Sequence, residues 1–254
     1  MNIAIVTGAS SGFGKEFVKL FYPRRDIDEI WALARNKDNL QALKKQFRGK
    51  VKAFSIDLSN LSAIEKFGKE LEKRNVNIKY LVNSAGFDKF GSYKDLSLEE
   101  SVNMIDLNVS GVIAMGLVCL PYMKRGSHIL NVASQASFQP LPYMNLYAAT
   151  KAFLRNYSRA LNVELHGKGV KVTAVCPGWM KTNLFARADI GAKKTIKNFA
   201  GITSPDKVAR KALRDADRGK DISVYGIMVK CGHLFGKLLP QKMMMKIWLI
   251  QQGL

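Results

Sequence analysis

The chain has 254 residues, 47% hydrophobic and 24% charged, a balance that excludes a disordered chain and suits one large α/β domain with a core of useful size. No charged segment followed by a long apolar stretch opens it, and no apolar run reaches the roughly 18–20 residues of a membrane span, so neither a leader nor a transmembrane helix is expected, and a cytoplasmic location is. The net charge of +20 admits nucleic acid, an anionic membrane surface or anionic small molecules as partners, but the basic residues are spread out with no run of five, which argues against nucleic acid and leaves most lysines as solvated charge.

Asn2 to Thr7 is a short apolar run bounded by glycine and reads as a buried strand. Gly8-Ala9-Ser10-Ser11-Gly12-Phe13-Gly14 follows, then a helix over Lys15 to Phe21. Strand, glycine turn and helix together put backbone N–H groups and the positive end of a helix dipole against a phosphate. The spacing is G-x-x-x-G-x-G rather than G-x-G-x-x-G, and a plain tight turn is the alternative. Asp28 to Arg35 is the second strand. It ends Ala34-Arg35-Asn36, with no acid to hold a ribose 2′-hydroxyl and an arginine suited to a 2′-phosphate, which favours NADP over NAD unless Arg35 merely faces solvent.

A helix over Asp38 to Phe47, a strand over Val51 to Ile56 closed by Asp57-Leu58, and a helix over Ser59 to Lys73 capped by Asn60 or Ser62 come next. Ile78 to Val82 is a fourth strand, closed by Asn83-Ser84-Ala85-Gly86. Ser97 to Cys119 is a long helical stretch holding Asn108. Asparagine competes for the backbone in helices, so Asn108 beside Gly111 marks either a local irregularity or a solvated side chain. His128 to Ala133 is a fifth strand ending at Ser134, Asn145 to His166 a helix with Ala148, Ala152, Leu161 and Leu165 on apolar faces, and Val170 to Cys176 a sixth strand before Pro177-Gly178. Ser204-Pro205-Asp206 caps a helix to Arg218, and Ile222 to Tyr225 forms a last strand.

This alternation predicts a doubly wound parallel sheet, the Rossmann arrangement, covered on both faces by helices. Ligands gather at the carboxyl ends of such strands, and Gly8, Arg35, Asp57, Asn83, Ser134 and Pro177 all follow strands. Tyr147 and Lys151 lie four apart, on one helix face. An ammonium beside a phenol favours the phenolate, so Tyr147 is expected to have a lowered pKa and to work as a general acid/base. Cys119, Cys176 and Cys231, an odd number at unrelated spacings, read as reduced, buried thiols. His128, His166 and His233 share no metal-ligand spacing, and no metal is expected.

With these residues in place, the chain resembles the short-chain dehydrogenase/reductase family. The matching elements are Thr7-Gly8-x-x-x-Gly12-x-Gly14, Asp57, Asn83-x-Ala85-Gly86, Asn108, Ser134, Tyr147-x-x-x-Lys151 and Pro177-Gly178 with Thr182. They occur in the family's order over roughly residues 1–185. Ser84 and Ala133 depart from the commoner asparagine and serine at those places, and neither removes a group the chemistry needs.

The resemblance implies catalytic roles for Asn108, Ser134, Tyr147 and Lys151. Tyr147 donates a proton to a carbonyl oxygen as hydride arrives, and Lys151 lowers its pKa and binds the nicotinamide ribose. Ser134 holds the same substrate oxygen, and Asn108 positions a relay water beside Lys151. It also implies that Gly8, Ser10, Ser11, Gly12, Phe13 and Gly14 cradle the pyrophosphate, with Arg35 and Asn36 at the 2′-phosphate and Asp57 and Leu58 at the adenine. Asn83, Ala85 and Gly86 would meet the central ribose, and Pro177, Gly178, Met180 and Thr182 the carboxamide end. Homo-oligomers, dimers or tetramers, are common in the family.

Residues 1–225 are expected to form the catalytic domain. Residues 179–203 correspond to the family's substrate lid, with apolar Phe185, Ile190, Ile196 and Phe199 beside Lys193, Lys194 and Lys197. The tail, residues 226–254, has no acid and interleaves Lys230, Lys237, Lys242 and Lys246 with large apolar residues, broken in two by Pro240. It fits a segment packing on the domain or a partner, a lipid-surface contact, or a Met-rich wall for a lipophilic substrate. Similar tails in long-chain 3-oxoacyl and hydroxysteroid reductases imply lipid metabolism and an NADP-dependent enzyme acting on a lipophilic ketone or secondary alcohol. A small-ketone carbonyl reductase and a non-catalytic NADP-binding sensor on the same fold are the alternatives.

Overall fold

Ile3 and Ile5 point to one face of the first strand, Ala4 and Val6 to the other, and all four are fully buried. A strand covered on both faces belongs inside a parallel sheet, where each connection returns over a face as a helix. The computed structural model describes residues 1–182, 188, 189, 192 and 195–254. The expectations placed on Phe185, Ile190, Lys193 and Lys194 lie outside the described residues. Seven parallel strands pair in the order β3-β2-β1-β4-β5-β6-β7: β1 (Asn2–Thr7), β2 (Glu29–Ala34), β3 (Val51–Ser55), β4 (Asn77–Asn83), β5 (His128–Val132), β6 (Lys171–Cys176) and β7 (Ile222–Val224). Strand order reverses between β1 and β4, and the crevice above that point is where such sheets take ligands.

On one face α1 (Gly12–Phe21), α2 (Lys37–Gln46) and α7 (Pro205–Asp217) bury Phe17, Phe21, Leu40 and Val208 against Ala4, Val6 and Ala32. On the other, α3 (Leu61–Glu72) and the stretch from α4 (Leu98–Ile105) to α5 (Gly111–Cys119) bury Ile64, Phe67, Met115 and Cys119 against Ile5, Trp31 and Leu81. The central helix α6 (Asn145–Glu164) packs along β6. Its buried side carries Ala148, Thr150, Lys151, Leu154 and Ser158, whereas Leu161 and Leu165 are only half-buried.

Several boundaries differ from the sequence reading. The first helix begins at Gly12, not Lys15, because the end of the glycine turn already supplies its first turn. Asn60, not Ser62, caps α3, accepting from the Ala63 amide at 3.2 Å. Ser204 does not cap α7 through its side chain; its hydroxyl donates to the Asp206 carboxylate instead. The stretch around Asn108 is a π turn, Asp106–Ser110, between α4 and α5, and Asn108 is fully buried. The irregular backbone is thus the correct alternative and the solvated side chain is not. Gly111 explains how the turn fits: a Cβ there would sit 2.3 Å from the Leu58 carbonyl oxygen.

The helical stretch Leu98–Tyr122 is long and apolar enough to cross a membrane by composition alone, contrary to the expectation from apolar runs. Here it is a core element, with Met104, Leu107, Val112, Met115 and Cys119 buried. Cys231 is exposed, unlike Cys119 and Cys176, because it lies on the outer side of the tail's first helix.

The tail folds back as two helices, α8 (Ile227–Leu238) and α9 (Gln241–Gln252), separated at Pro240. Trp248 is buried and its indole N–H donates to the Pro142 carbonyl at 3.0 Å. The Gln252 side-chain oxygen accepts from the Lys197 and Asn198 amides at 3.1 and 2.9 Å. The tail therefore clamps both the loop before α6 and the segment after Thr195.

At the first turn, Gly8 has φ 64°, and a Cβ on Gly14 would lie 2.3 Å from the Gly8 carbonyl oxygen. Backbone cannot yield there as a flexible side chain would. Gly14→Ala should therefore cost on the order of 1–3 kcal/mol by overpacking, seen as a lower Tm. An unchanged melting curve would contradict this account of the turn.

Candidate active site

Thr7 ends β1 with its hydroxyl accepting from the Ser84 and Ala85 amides, both at 3.0 Å. That pair of bonds joins the ends of β1 and β4 and opens a cavity of about 650 Å³ over the carboxyl edge of the sheet. Gly8, Ser10, Ser11, Gly12, Phe13 and Gly14 line one end, with Arg35 and Asn36 beyond them and Leu58 alongside. Ala85 and Gly86 form the middle. Ser134, Tyr147 and Lys151 also line the cavity, Lys151 beside Gly86, with Pro177, Gly178 and Met180, while Thr182 lies by Gly12 at the glycine turn.

Three expected residues are not among the cavity-lining residues. Asn83 points its side chain into the sheet: its amide donates to Asn131 at 2.9 Å, and Asn131 donates to Ser158 at 3.0 Å, a buried polar ladder fastening β4 to β5 and α6. The Asp57 carboxylate accepts from the Ser59 amide and hydroxyl at 3.0 and 2.7 Å, and its neighbours Ile56 and Leu58 face the cavity in its place. Burial works against the Asp57 charge, but those bonds and nearby Arg35 outweigh it and lower its pKa.

Asn108 is the third. Its side-chain oxygen accepts from the Phe87 amide at 3.1 Å, and its NH₂ donates to the Phe87 carbonyl at 2.9 Å and the Thr150 hydroxyl at 3.3 Å. The side-chain amide of Asn108, the residue expected to position a relay water, is thus committed to clamping the loop after β4. A Cβ on Gly86 would meet Asn108 Oδ1 at 2.9 Å and Lys151 Nζ at 3.4 Å, so a glycine is needed for that clamp to close beside the lysine.

Lys151 is almost fully buried, and its ammonium donates to the Val132 carbonyl at 2.8 Å. Burial lowers its pKa to about 8, against the pull of Asp88 and Cys176. Tyr147 does not behave as its spacing from Lys151 suggested. Burial, and then the neighbouring Asp88 carboxyl, push its pKa above the ordinary phenol value, while the Ser134 hydroxyl works the other way. The reason is that Lys151 turns to Val132 and lies 5.5 Å from the centre of the Tyr147 ring. Removing a phenolate from water costs more than a cation at that distance returns. Ser134 accepts from the Ala136 amide at 3.1 Å, which fixes the hydroxyl at the mouth of the short helix Gln135–Phe138.

Asp88 is the residue that sequence reasoning missed. It is buried, lines the cavity, accepts from the Lys89 amide through Oδ1 at 2.8 Å, and has no partner for Oδ2 among the described residues. Burial raises its pKa well above the carboxylate range, opposed by the Lys89 amide and by Lys151. An acid two places after Ala85-Gly86, between Phe87 and Lys89-Phe90, was the available signal. Gln135, Phe87 and Trp179 also line the cavity unannounced.

Beside Tyr147, an apolar cluster of Phe90, Leu141, Met144, Ala148, Ile196 and Trp248 is joined by Tyr143, Trp179 and Phe199. Tyr143 holds φ 65°, a conformation costly for a non-glycine residue. The bond from Trp248 to Pro142 and one from the Gly91 amide to the Tyr143 carbonyl at 3.0 Å stabilise the loop. No group of His, Cys, Asp and Glu suited to a metal occurs among the described residues. His128 stacks on Tyr80, and the His233 ring packs tilted against Phe138.

A parallel sheet with a glycine-lined crevice at its switch point and a Ser/Tyr/Lys set lining the same cavity defines a dinucleotide-dependent oxidoreductase. The family model described as short chain dehydrogenase matches residues 2–193, and the chain belongs to the short-chain dehydrogenase/reductase family. It is 34% identical over 212 residues to the NADP-dependent 3-hydroxy acid dehydrogenase YdfG of Escherichia coli K12, covering 80% of this chain and 85% of that one. An uncharacterized oxidoreductase of Staphylococcus epidermidis is 32% identical over 198 residues, 77% of this chain and 85% of that one. Among solved structures, a short-chain dehydrogenase from Sphingobium yanoikuyae in complex with NADPH superposes with a TM-score of 0.78 at 26% identity, covering 96% of this chain and 95% of that one.

Proposed function

We propose that this protein is an NADPH-dependent ketone reductase for lipophilic substrates, with 3-oxoacyl compounds the first class to test. The observation that carries the reading is the cavity itself. It joins Arg35, the turn Gly8 to Gly14 and the Ser134, Tyr147, Lys151 set in one continuous space. The site fits a dinucleotide, since Gly8 and Gly14 let the turn pack tightly on Ala85 and on itself, where Cβ atoms would clash, and α1 begins within it at Gly12, the strand–turn–helix arrangement that receives a phosphate. Gly8, Ser10, Ser11, Gly12, Phe13 and Gly14 would hold the pyrophosphate, Ala85 and Gly86 the ribose, and Pro177 to Thr182 the nicotinamide end. Bound NADPH supplies the hydride. The S. yanoikuyae relative is an NADPH complex and the E. coli relative is NADP-dependent, which supports the same cofactor here.

The chain's own work is proton handling and orientation. The Ser134 hydroxyl holds the substrate oxygen beside the Tyr147 phenol. Tyr147, kept neutral by burial and by Asp88, gives its proton to that oxygen, and a neutral phenol suits the direction of reduction. Lys151 faces the tyrosinate left behind and the cofactor ribose. Asn108 acts by positioning, holding Gly86 and Phe87 against the lysine. The apolar cluster on the Tyr147 ring supports a hydrophobic substrate body. The E. coli relative's 3-hydroxy acid chemistry supports an oxygen at the 3-position. Exposed Leu98, Val102, Ile105 and Phe153 on α4 and α6 support self-association as a dimer or tetramer.

Arg35 is exposed at the end of β2 and lines the cavity. A charge-assisted contact to a 2′-phosphate is worth on the order of 1.5–3 kcal/mol, so wild type should bind NADPH roughly tenfold or more tighter than NADH and Arg35→Ala should lose most of that preference. Titration of both cofactors measures it, and equal dissociation constants in the wild type would remove the assignment. Turnover with NADPH on a short 3-oxo ester, a long 3-oxoacyl thioester and a steroid ketone tests the substrate class. A preference for the short ester would defeat the lipophilic reading.

A further inference from the structure

The helix α8 touches the rest of the molecule along a narrow inner line. Val229 reaches Gly178, the His233 ring lies 4.3 Å from that of Phe138, and Gly236 closes on the Phe138 backbone, where a Cβ would be 2.9 Å from its carbonyl oxygen. The opposite side carries Ile227, Cys231, Leu234 and Leu238, spaced four, three and four apart. At 100° per residue these fall within one narrow stripe. All four are exposed, Ile227 by 81% and Leu238 by 68%. Phe235 widens the stripe on one flank, where Met228, still exposed, turns its sulfur toward Gly201, and Lys230 and Lys237 border it on the other. Among the described residues α8 has no buried one.

The second tail helix repeats the pattern. Met243, Ile247 and Ile250 are exposed at four- and three-residue spacing, with Lys242 and Lys246 beside them, while Met244 and Trp248 face inward. From Ile222 to Leu254 the sequence contains no carboxylate. A water-facing helix normally turns its charges outward and its apolar side inward. Here the outward pole is apolar and cations rim it, the arrangement of a helix lying in a lipid interface.

We propose that α8, with the outer stripe of α9, docks the protein on an anionic lipid surface. The apolar stripe enters the boundary between headgroups and acyl chains. Lys230, Lys237, Lys242 and Lys246 pair with lipid phosphates, and the net charge of +20 holds the molecule near the surface before the stripe engages. The charge pattern selects this occupant over a second copy of the chain, because two such rims would meet with like charge. The side of α8 opposite the docked stripe packs beside the cavity, with Val229 on Gly178 and His233 on the short helix after Ser134. The inference does not depend on the substrate reading.

The test uses the full-length protein with vesicles of phosphatidylcholine alone and of phosphatidylcholine with phosphatidylglycerol. Co-sedimentation at low salt should be at least about tenfold stronger on the anionic vesicles and should fall at high salt. Leu234→Glu with Leu238→Glu should abolish stable docking while leaving NADPH binding, Tm and turnover on a soluble ketone near wild type. Lys230→Glu with Lys237→Glu should weaken docking by about tenfold or more. Failure to sediment would overturn the proposal, as would equal binding to neutral vesicles. Binding that survives Leu234→Glu with Leu238→Glu would show adhesion by bulk charge only, and overturn it too. If light scattering without vesicles shows that this variant breaks an oligomer, the face belongs to a second copy and the proposal falls.

Discussion

Replacing Tyr147 by phenylalanine should lower turnover by at least about 10²-fold, the low end of what a positioned acid contributes, and leave NADPH affinity nearly unchanged. The substitution keeps the ring, which packs against the apolar cluster with Trp248 and Phe90, so the fold has no reason to change. What disappears is the one proton held beside Ser134. Burial and Asp88 keep that proton on Tyr147 through neutral pH, so the acid form is fully populated there, and its loss should appear in kcat at every pH from 6 to about 8. Stopped-flow hydride transfer and a cofactor titration on the same preparation separate chemistry from binding. Near-wild-type turnover in Tyr147→Phe would transfer the acid's role to another group, and Asp88, the other buried acid at the cavity wall, would be the first to examine.

The fold was legible because its signals are local. Apolar runs closed by glycine or by Asn, Asp and Ser give strands, and β1, β3 and β6 start or stop within a residue of where these patterns place them. The site was legible as a set of positions along one sheet edge, for the reason that parallel strands all end there. Side-chain direction was not legible. Asn83 and Asn108 look like ligand groups in sequence, yet each spends its amide on a neighbouring element. Whether an asparagine faces a cavity or a strand depends on packing between segments far apart in the chain. The Tyr147 pKa failed for a related reason. Spacing on a helix gives proximity to Lys151, but the balance is set by burial and by Asp88, which arrives from the β4 loop. The tail's break into two pieces at Pro240 was readable. Its clamps from Trp248 to Pro142 and from Gln252 to residues 197 and 198 were not.

Lys151→Met should give a protein that is nearly inactive and, at neutral pH, more stable than the wild type. Methionine fills a similar volume without charge, and water in the cavity can take over the Val132 carbonyl. In the folded protein the Lys151 ammonium gives up its proton at about 8, against 10.5 for the free side chain. Between those values the unfolded chain holds more protons, so the lysine's contribution to stability improves as pH rises. Below about 8 its burial penalty is fully present, and above 10.5 it is gone. The side chain is 4% exposed, so little solvent screening applies, and the penalty is on the order of 3 kcal/mol. Urea unfolding should therefore show Lys151→Met ahead of wild type by up to that amount at pH 7, with the gap closing as pH approaches 10. Both proteins carry the buried Cys176 thiol, which burial pushes up to about 11; losing the pull of Lys151 raises it further in the variant, so it titrates above the range in which the gap is read. Activity should fall by at least about 10²-fold, with weaker NADPH binding because the ribose loses its cation. A variant less stable than wild type at pH 7, or a gap that does not change with pH, would mean that the lysine is held by compensating contacts and carries no stability cost for its place in the site.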